Sequence, residues 1–323
     1  MKSQPSTVDR RFQGLAVLLI STAVLWVTQG CSTLDTTPFT VVMLPDTQNY
    51  SEKLPSYFYD QTKWIVENAK QLNVVCVTHV GDIVQNGDKA PAEWKVAEEA
   101  MFRLDDVAPW GVAIGNHDYD LDGPRSKGDM FKQYFGPSRF EGKSWYGGAS
   151  PDGLSSYQEF VGGGRNFLIL HLEADVPDDT IAWVEEVLAE NPGTPVILST
   201  HIYMSTKNRG RDEKPYWQKD VGNSAEQVWQ KLIRRNSQIF MVLCGHWPEE
   251  WFQISWNDAG QEVYEMLADY QGRENGGDGW LRYMEFDPGK NQIRVKTYSP
   301  SLDRYELDKD SDFVIDVDFD ARF

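Results

Sequence analysis

The chain has 323 residues and a formal net charge of −18, from 49 acidic and 31 basic side chains. With 41% hydrophobic and 25% charged residues it can bury a core and is not disordered by composition. It has no Lys/Arg cluster, which argues against nucleic-acid docking through a basic face and against adsorption on anionic lipid.

The N-terminus is an object of its own. Residues 1–14 carry Lys2, Arg10 and Arg11 against Asp9, and an apolar run from Leu15 to Val27 follows. A basic stretch, a short apolar core and small residues after it make an export signal over residues 1–30. The run is too short to span a bilayer comfortably. Gly30-Cys31-Ser32 resembles the lipobox of bacterial lipoproteins, with Thr28 at the place usually held by Leu. That resemblance implies cleavage before Cys31 and a lipid on it, the only membrane contact expected. Ordinary secretion with an unmodified Cys31 and an uncleaved anchor are the alternatives. The expected location is therefore the cell envelope, periplasmic or outer face, or the medium. Losing residues 1–30 removes three basic groups and one acid, so the remainder is more acidic still.

From residue 39 short apolar runs alternate with amphipathic stretches. FTVVMLPD (39–46) predicts a buried strand, and 56–72 a helix with Phe58, Trp64, Ile65 and Ala69 near one face. VVCVTHVGD (74–82) predicts a second strand, 90–105 a second helix, and GVAIGNHD (111–118) a third strand. Gly, Pro and Ser in 119–157 predict an excursion over the surface. Phe160 and 167–173 predict a hairpin around Gly162-Gly163-Gly164. A helix over 178–190, capped by Asp178 or Asp179, precedes a strand over 196–203, a helix over 223–236 and a strand over 239–246. Helical periodicity then stops, and five alternating runs between 251 and 319 predict β-hairpins, with turns at 257–260 and 287–290. Cys76 and Cys244 sit in apolar runs and read as buried thiols on core strands; an oxidising compartment leaves a disulfide open. The class is α/β, and one domain over 37–323 is the simplest organisation.

The polar residues that break these strands fall at their carboxyl ends: Asp46 and Gln48, Gly81-Asp82, Gly115-Asn116-His117-Asp118, His201, and Gly245-His246. Open α/β sheets build their sites there. Carboxylates, an amide oxygen and imidazoles together suit Mn, Fe or Zn, and two such ions can share a carboxylate and clamp a phosphate. His79 and His171, the other two histidines, read as structural.

The ordered set D-x-Q, GD, GNHD, H and GH resembles the calcineurin-like metallophosphoesterase superfamily, and the opening LPDTQNY resembles a subgroup in which Gln replaces the first-block His. The resemblance implies two mixed β-sheets packed face to face and flanked by helices, a four-layer αββα sandwich. It implies a hydrolase of phosphate mono- or diesters with two divalent transition metal ions (Mn, Fe or Zn). By the same carry-over Asp46 and Gln48 face the first ion, Asp82 bridges both, and Asn116, His201 and His246 hold the second. A hydroxide between the ions is the implied nucleophile. His117 is the implied general acid, oriented by Asp118. The family's last block is G-H-x-H, and here Pro248 stands at the second His. The first ion is therefore expected to bind weakly unless Glu249 or Glu250 substitutes.

Tyr50, Trp145, Tyr203, Trp217, Trp247 and Trp251 are candidates for an aromatic platform, with one or two expected at the pocket. Ala268-Asp269-Tyr270-Gln271 resembles a segment of the same subgroup and reads either as a stretch reaching the site or as a plain turn. Arg273 and Arg282 are candidate phosphate contacts. The expected partner is a phosphorylated small molecule or a cell-surface phosphoester. The alternative reading is a surface lipoprotein, non-catalytic or weakly catalytic, that binds a ligand at the same pocket.

Overall fold

The computed structural model describes residues 35–119, 128–205, 208–209, 218 and 220–323. The export signal, Cys31 and Trp217 lie outside the described residues. The strands are β1 (Phe39–Leu44), β2 (Val74–His79), β3 (Trp110–Val112), β4 (Tyr146–Ala149), β5 (Ser156–Gly162), β6 (Arg165–Leu172), β7 (Val196–Thr200), β8 (Met204–Ser205), β9 (Asn208–Arg209), β10 (Ile239–Cys244), β11 (Glu250–Trp256), β12 (Glu262–Ala268), β13 (Leu281–Asp287), β14 (Gln292–Ser299), β15 (Arg304–Glu306) and β16 (Asp312–Asp316).

Strand β1 shows how the layers arise. All six of its residues are buried. Phe39, Val41 and Met43 point into one apolar cluster, and Val42 and Leu44 into another, as the twofold alternation of a strand requires. The first cluster lies between two sheets. One sheet runs β15-β14-β13-β1-β2-β3, with β16 also on β14; the other runs β11-β12-β10-β7-β6-β5-β4. The remaining faces are covered by helices, Pro55–Leu72 and Pro91–Met101 on the first sheet and Asp178–Glu190 on the second. This is the expected four-layer αββα arrangement of two mixed sheets.

Helix Pro55–Leu72 starts with Pro at its first turn and buries Phe58, Gln61, Thr62 and Ile65, one face at 3.6 spacing. Asn73 ends it in the left-handed region at φ 49°, and β2 follows at once. In the β5–β6 hairpin Gly162 pairs with Arg165, so Gly163 and Gly164 form a two-residue turn with φ 53° and 70°. Both remaining cysteines are free and buried. Cys76 faces the inter-sheet layer, whereas Cys244 faces the helix layer, so the two thiols are on opposite sides of a sheet.

The structure departs from the sequence expectations in several places. The third strand is only Trp110–Val112, and Asn116–Asp118 forms a single 3-10 turn. Helix 178–190 is as expected, but Pro177 stands at its cap position, and Asp179 Oδ1 accepts from the Thr180 N–H at 3.0 Å inside the first turn. The stretch 119–157 is not merely a surface excursion. Its described part forms helices Asp129–Phe135 and Pro137–Phe140, because Phe131, Phe135 and Phe140 pack on Trp94 and Trp110. The late strands form the expected hairpins, β11–β12 around 257–260 and β13–β14 around 287–290, but the two go to different sheets: β13 pairs with β1 in one, while β12 lies parallel to β10 in the other.

His171 fixes the spacing of the sheets. Its Nε2 lies 2.9 Å from Thr78 Oγ1, which donates to Ser199 Oγ at 2.9 Å. Burial pushes both His171 and His79 down to about 3. Each is neutral in the folded chain and protonated when unfolded below pH ~6.5. The stability this neutrality allows is full above that pH and is lost on acidification toward pH 3, at about 1.4 kcal/mol per unit per histidine. In acid titrations followed by urea unfolding, His171→Gln should flatten this slope by about one histidine's share; an unchanged slope would refute the buried-neutral assignment.

Candidate metal centre

The carboxyl ends of the parallel strands in both sheets converge on one place. Asp46 follows β1 by two residues, Asp82 follows β2, and Asn116–Asp118 follows β3. His201 follows β7 directly and Gly245-His246 follows β10. The loops are tied together by backbone: Thr47 N–H donates to the Asp82 carbonyl at 3.1 Å, and Gly245 N–H to the His201 carbonyl at 3.1 Å. Gln48, expected at the end of a strand, instead opens a short helix, Gln48–Lys53.

Asp82, His201 and His246 each offer a ligand atom, and these atoms lie within 4.8 Å of one another. Three features of the arrangement fit a cation. First, the His201 Nδ1–H donates to the Val80 carbonyl at 3.0 Å, which turns Nε2 toward Asp82 Oδ2, 3.1 Å away. A lone pair facing a carboxylate needs a proton or a cation between them, and a carbonyl on the far nitrogen is how ligand imidazoles are oriented. Second, Gln48 Oε1, Asp82 Oδ2, Asn116 Oδ1 and His201 Nε2 are buried without a hydrogen-bond partner. All four belong to residues expected as ligands. Third, a Cβ on Gly115 would collide with Asp82, and one on Gly245 would collide with Asp46 Oδ1, so the glycines of these motifs make room for the carboxylates. Residues and fit agree: this donor set suits a divalent transition metal.

The electrostatics point the same way. Burial, then the charges of Asp269 and Asp82, push Asp46 well above the usual carboxylate range. Burial and Asp82 push Asp118 up to about 8. Burial would lift Asp82 too, but His201 beside it brings it below its ordinary value. Burial opposes charge on His201, yet Asp82 and Asp118 hold it above the ordinary imidazole value. His246 is pushed down to about 3 by burial and by His201, so it presents a neutral ring.

His117 sits half-buried at the rim. Its backbone N–H donates to Asp82 Oδ1 at 2.9 Å, and its Nδ1 donates to the Gln85 carbonyl at 2.9 Å. Glu93 fixes that carbonyl's loop by accepting from the Gln85 and Asn86 N–H groups at 2.8 and 3.0 Å. Asp118 does not orient His117. Its oxygens accept from the Val84 and Gly115 N–H groups at 3.0 and 2.8 Å, so it is buried beneath the turn and holds backbone.

Neither Glu249 nor Glu250 stands in for the missing histidine. Glu249 is exposed, and Glu250 binds Arg273 and Arg282. Both arginines are thus paired with this carboxylate, and Arg282 is fully buried. Asp269 and Gln271 do reach the centre, from beyond β12. The visible signal was the ADYQ segment, in which two polar residues follow the end of a buried strand. Of the aromatic candidates, Trp247 alone lies against the centre among the described residues, 38% exposed and with its ring 4.7 Å from that of His246.

Residues 39–250 match the family described as calcineurin-like phosphoesterase. The chain belongs to that family. It is similar to the YvnB protein of Bacillus subtilis (strain 168), described as uncharacterised, at 34% identity over 282 residues, 84% of this chain and 21% of YvnB. It therefore spans about a fifth of that relative. Among solved structures it resembles a dimetal phosphatase from Danio rerio, with a TM-score of 0.53 at 12% identity over 86% of this chain and 98% of that one. It also resembles the purple acid phosphatase PPD1 of yellow lupin (Lupinus luteus), with a TM-score of 0.55 at 12% identity over 88% and 55%. These likenesses support the fold.

Gly245→Ala should displace the Asp46 carboxylate and weaken metal binding by roughly tenfold or more, as read by competition with a chromogenic chelator. Unchanged affinity would exclude Asp46 from the ligand set.

Proposed function

We propose that this chain is an exported, metal-dependent hydrolase of phosphate mono- or diesters. The observation that carries the reading is the cluster of Asp82, His201 and His246, whose ligand atoms converge at strand ends within a chain of the calcineurin-like family. Asp46 and Gln48 would hold a first ion, Asn116, His201 and His246 a second, and Asp82 would be shared. Bound there, two divalent cations would supply Lewis acidity at the phosphoryl oxygens and acidify the water that attacks.

The chain's own residues do the rest. Asp82 Oδ1 accepts the His117 N–H and so fixes the rim to the centre. The Gln85 carbonyl occupies His117 Nδ1 and leaves Nε2 to pass a proton to the departing ester oxygen. Trp247 offers a flat apolar face beside that opening for the organic part of an ester.

The test is hydrolysis of aryl and alkyl phosphate mono- and diesters by the purified protein with added manganese. Asp82→Asn should abolish turnover. His117→Ala should lower it by about 10²–10⁴, and by more for alkyl than for nitrophenyl esters, because a poor leaving group needs the proton most. Activity that survives both substitutions would sink the assignment and leave a ligand-binding role.

The same proposal places a lipid on Cys31, with the enzyme tethered to the envelope and acting on a phosphorylated small molecule or cell-surface phosphoester. Its acidic surface argues against nucleic-acid docking. Palmitate labelling of cells expressing the chain should mark the wild type and not Cys31→Ser; equal labelling would remove the anchor.

A further inference from the structure

The family's second histidine is replaced by Pro248, which is exposed and carries no donor. What fills its place is visible in the strand register. β12 runs parallel to β10, and Cys244 pairs with Leu267. Carrying that register forward sets Asp269 level with His246, at the carboxyl end of the neighbouring strand. Asp269 is fully buried. Its backbone N–H donates to the Glu249 carbonyl at 3.0 Å, which holds it at the centre.

A single atom then shows what this place is shaped to receive. Gln271 Nε2 donates to Asp46 Oδ2 at 3.1 Å, to Asp269 Oδ2 at 2.9 Å and to the His246 carbonyl at 3.4 Å. One polar hydrogen-bearing group thus sits among three oxygens, two of them from buried carboxylates. Neither carboxylate forms a salt bridge with any described Lys or Arg. The amide of Gln271 meets the amide of Gln48 on its other side. Gln48 is 6% exposed, and its Oε1 is buried in the same place without a hydrogen-bond partner.

We propose that Asp269 is the ligand that takes the place of the family's second histidine, giving a first site of Asp46, Gln48, Asp82 and Asp269. Every donor in that set is an oxygen. The second site, by contrast, carries the imidazoles of His201 and His246. Oxygen donors favour manganese or magnesium, and imidazoles are compatible with zinc or iron. The two sites therefore differ in preference, and the first takes a hard cation in spite of the absent histidine. This rests on the two-ion reading above and goes beyond it by naming a ligand and the class of ion.

The experiment reads metal content, not turnover. Purified full-length wild type, Asp269→Asn, Asp269→Ala and Asp269→His are equilibrated with manganese and zinc together, desalted and analysed by elemental mass spectrometry. Manganese-loaded samples are also examined by electron paramagnetic resonance. Wild type should hold two ions, one of them manganese, and the all-manganese form should show a spin-coupled pair. Asp269→Asn and Asp269→Ala should hold one ion and show an uncoupled manganese signal, the retained ion marking a folded second site. Asp269→His should hold two ions with manganese exchanged for zinc. Two ions in both the Asn and Ala variants would overturn the role of Asp269, and so would loss of both ions from a variant that keeps its circular dichroism. An unchanged manganese share in Asp269→His would overturn the preference. A wild type that takes up fewer than two ions at saturating manganese would instead overturn the two-ion reading, and is distinguished by needing no variant.

Discussion

Four carboxylates, Asp46, Asp82, Asp118 and Asp269, are buried where the two sheets meet, and no described Lys or Arg pairs with any of them. Burying charge without a partner is among the most costly things a fold can do. The chain meets that cost in different ways. Asp118 accepts two backbone N–H groups, Asp46 accepts one, and Asp82 faces an imidazole. What remains is a convergence of buried carboxylate oxygens with no cationic side chain among the described residues to answer them. The strand ends, the tight glycines and the left-handed turn at Asp82 all serve to bring these acids together.

That concentration inverts the reading of the net charge. An excess of acids should repel an anionic ester, yet the acids that matter are turned inward and are answered by the cations they would bind. The outer surface keeps its negative sign. In the proposed function, attraction for phosphate falls to the metal centre, beside His117 and Trp247.

Much of this was legible before any coordinates. Strand ends show in a sequence because an apolar run stops at a polar residue, so Asp46, Asp82, Asn116, His117, His201 and His246 could be placed at one edge from order alone. Orientation could not be read that way. Asp118 follows His117 directly, yet the 3-10 turn points the two side chains apart and gives His117 to the Gln85 carbonyl. Asp269 was harder still. Its place depends on β12 pairing in parallel with β10, and the sequence between them has the alternation of a plain hairpin. The helices within 119–157 were obscured because glycine, proline and serine set the local composition while three phenylalanines decided the packing.

The backbone of Asp82 and His246 has a consequence for descent. Both residues sit at positive φ, 49° and 74°, where β-branched and bulky side chains are strained and Gly, Asn, Asp and His are best tolerated. Their identities are therefore constrained by the turn that carries them and, in the proposed metal centre, by ligation as well. A lineage that abandoned catalysis would be free to replace His201 or His117, whose backbones impose no such restriction, well before it could vary the residues after Gly81 and Gly245. Persistence of those two dipeptides in a diverged copy would testify to an inherited chain path, and erosion at His117 would be the earlier mark of a scaffold that has ceased to turn over.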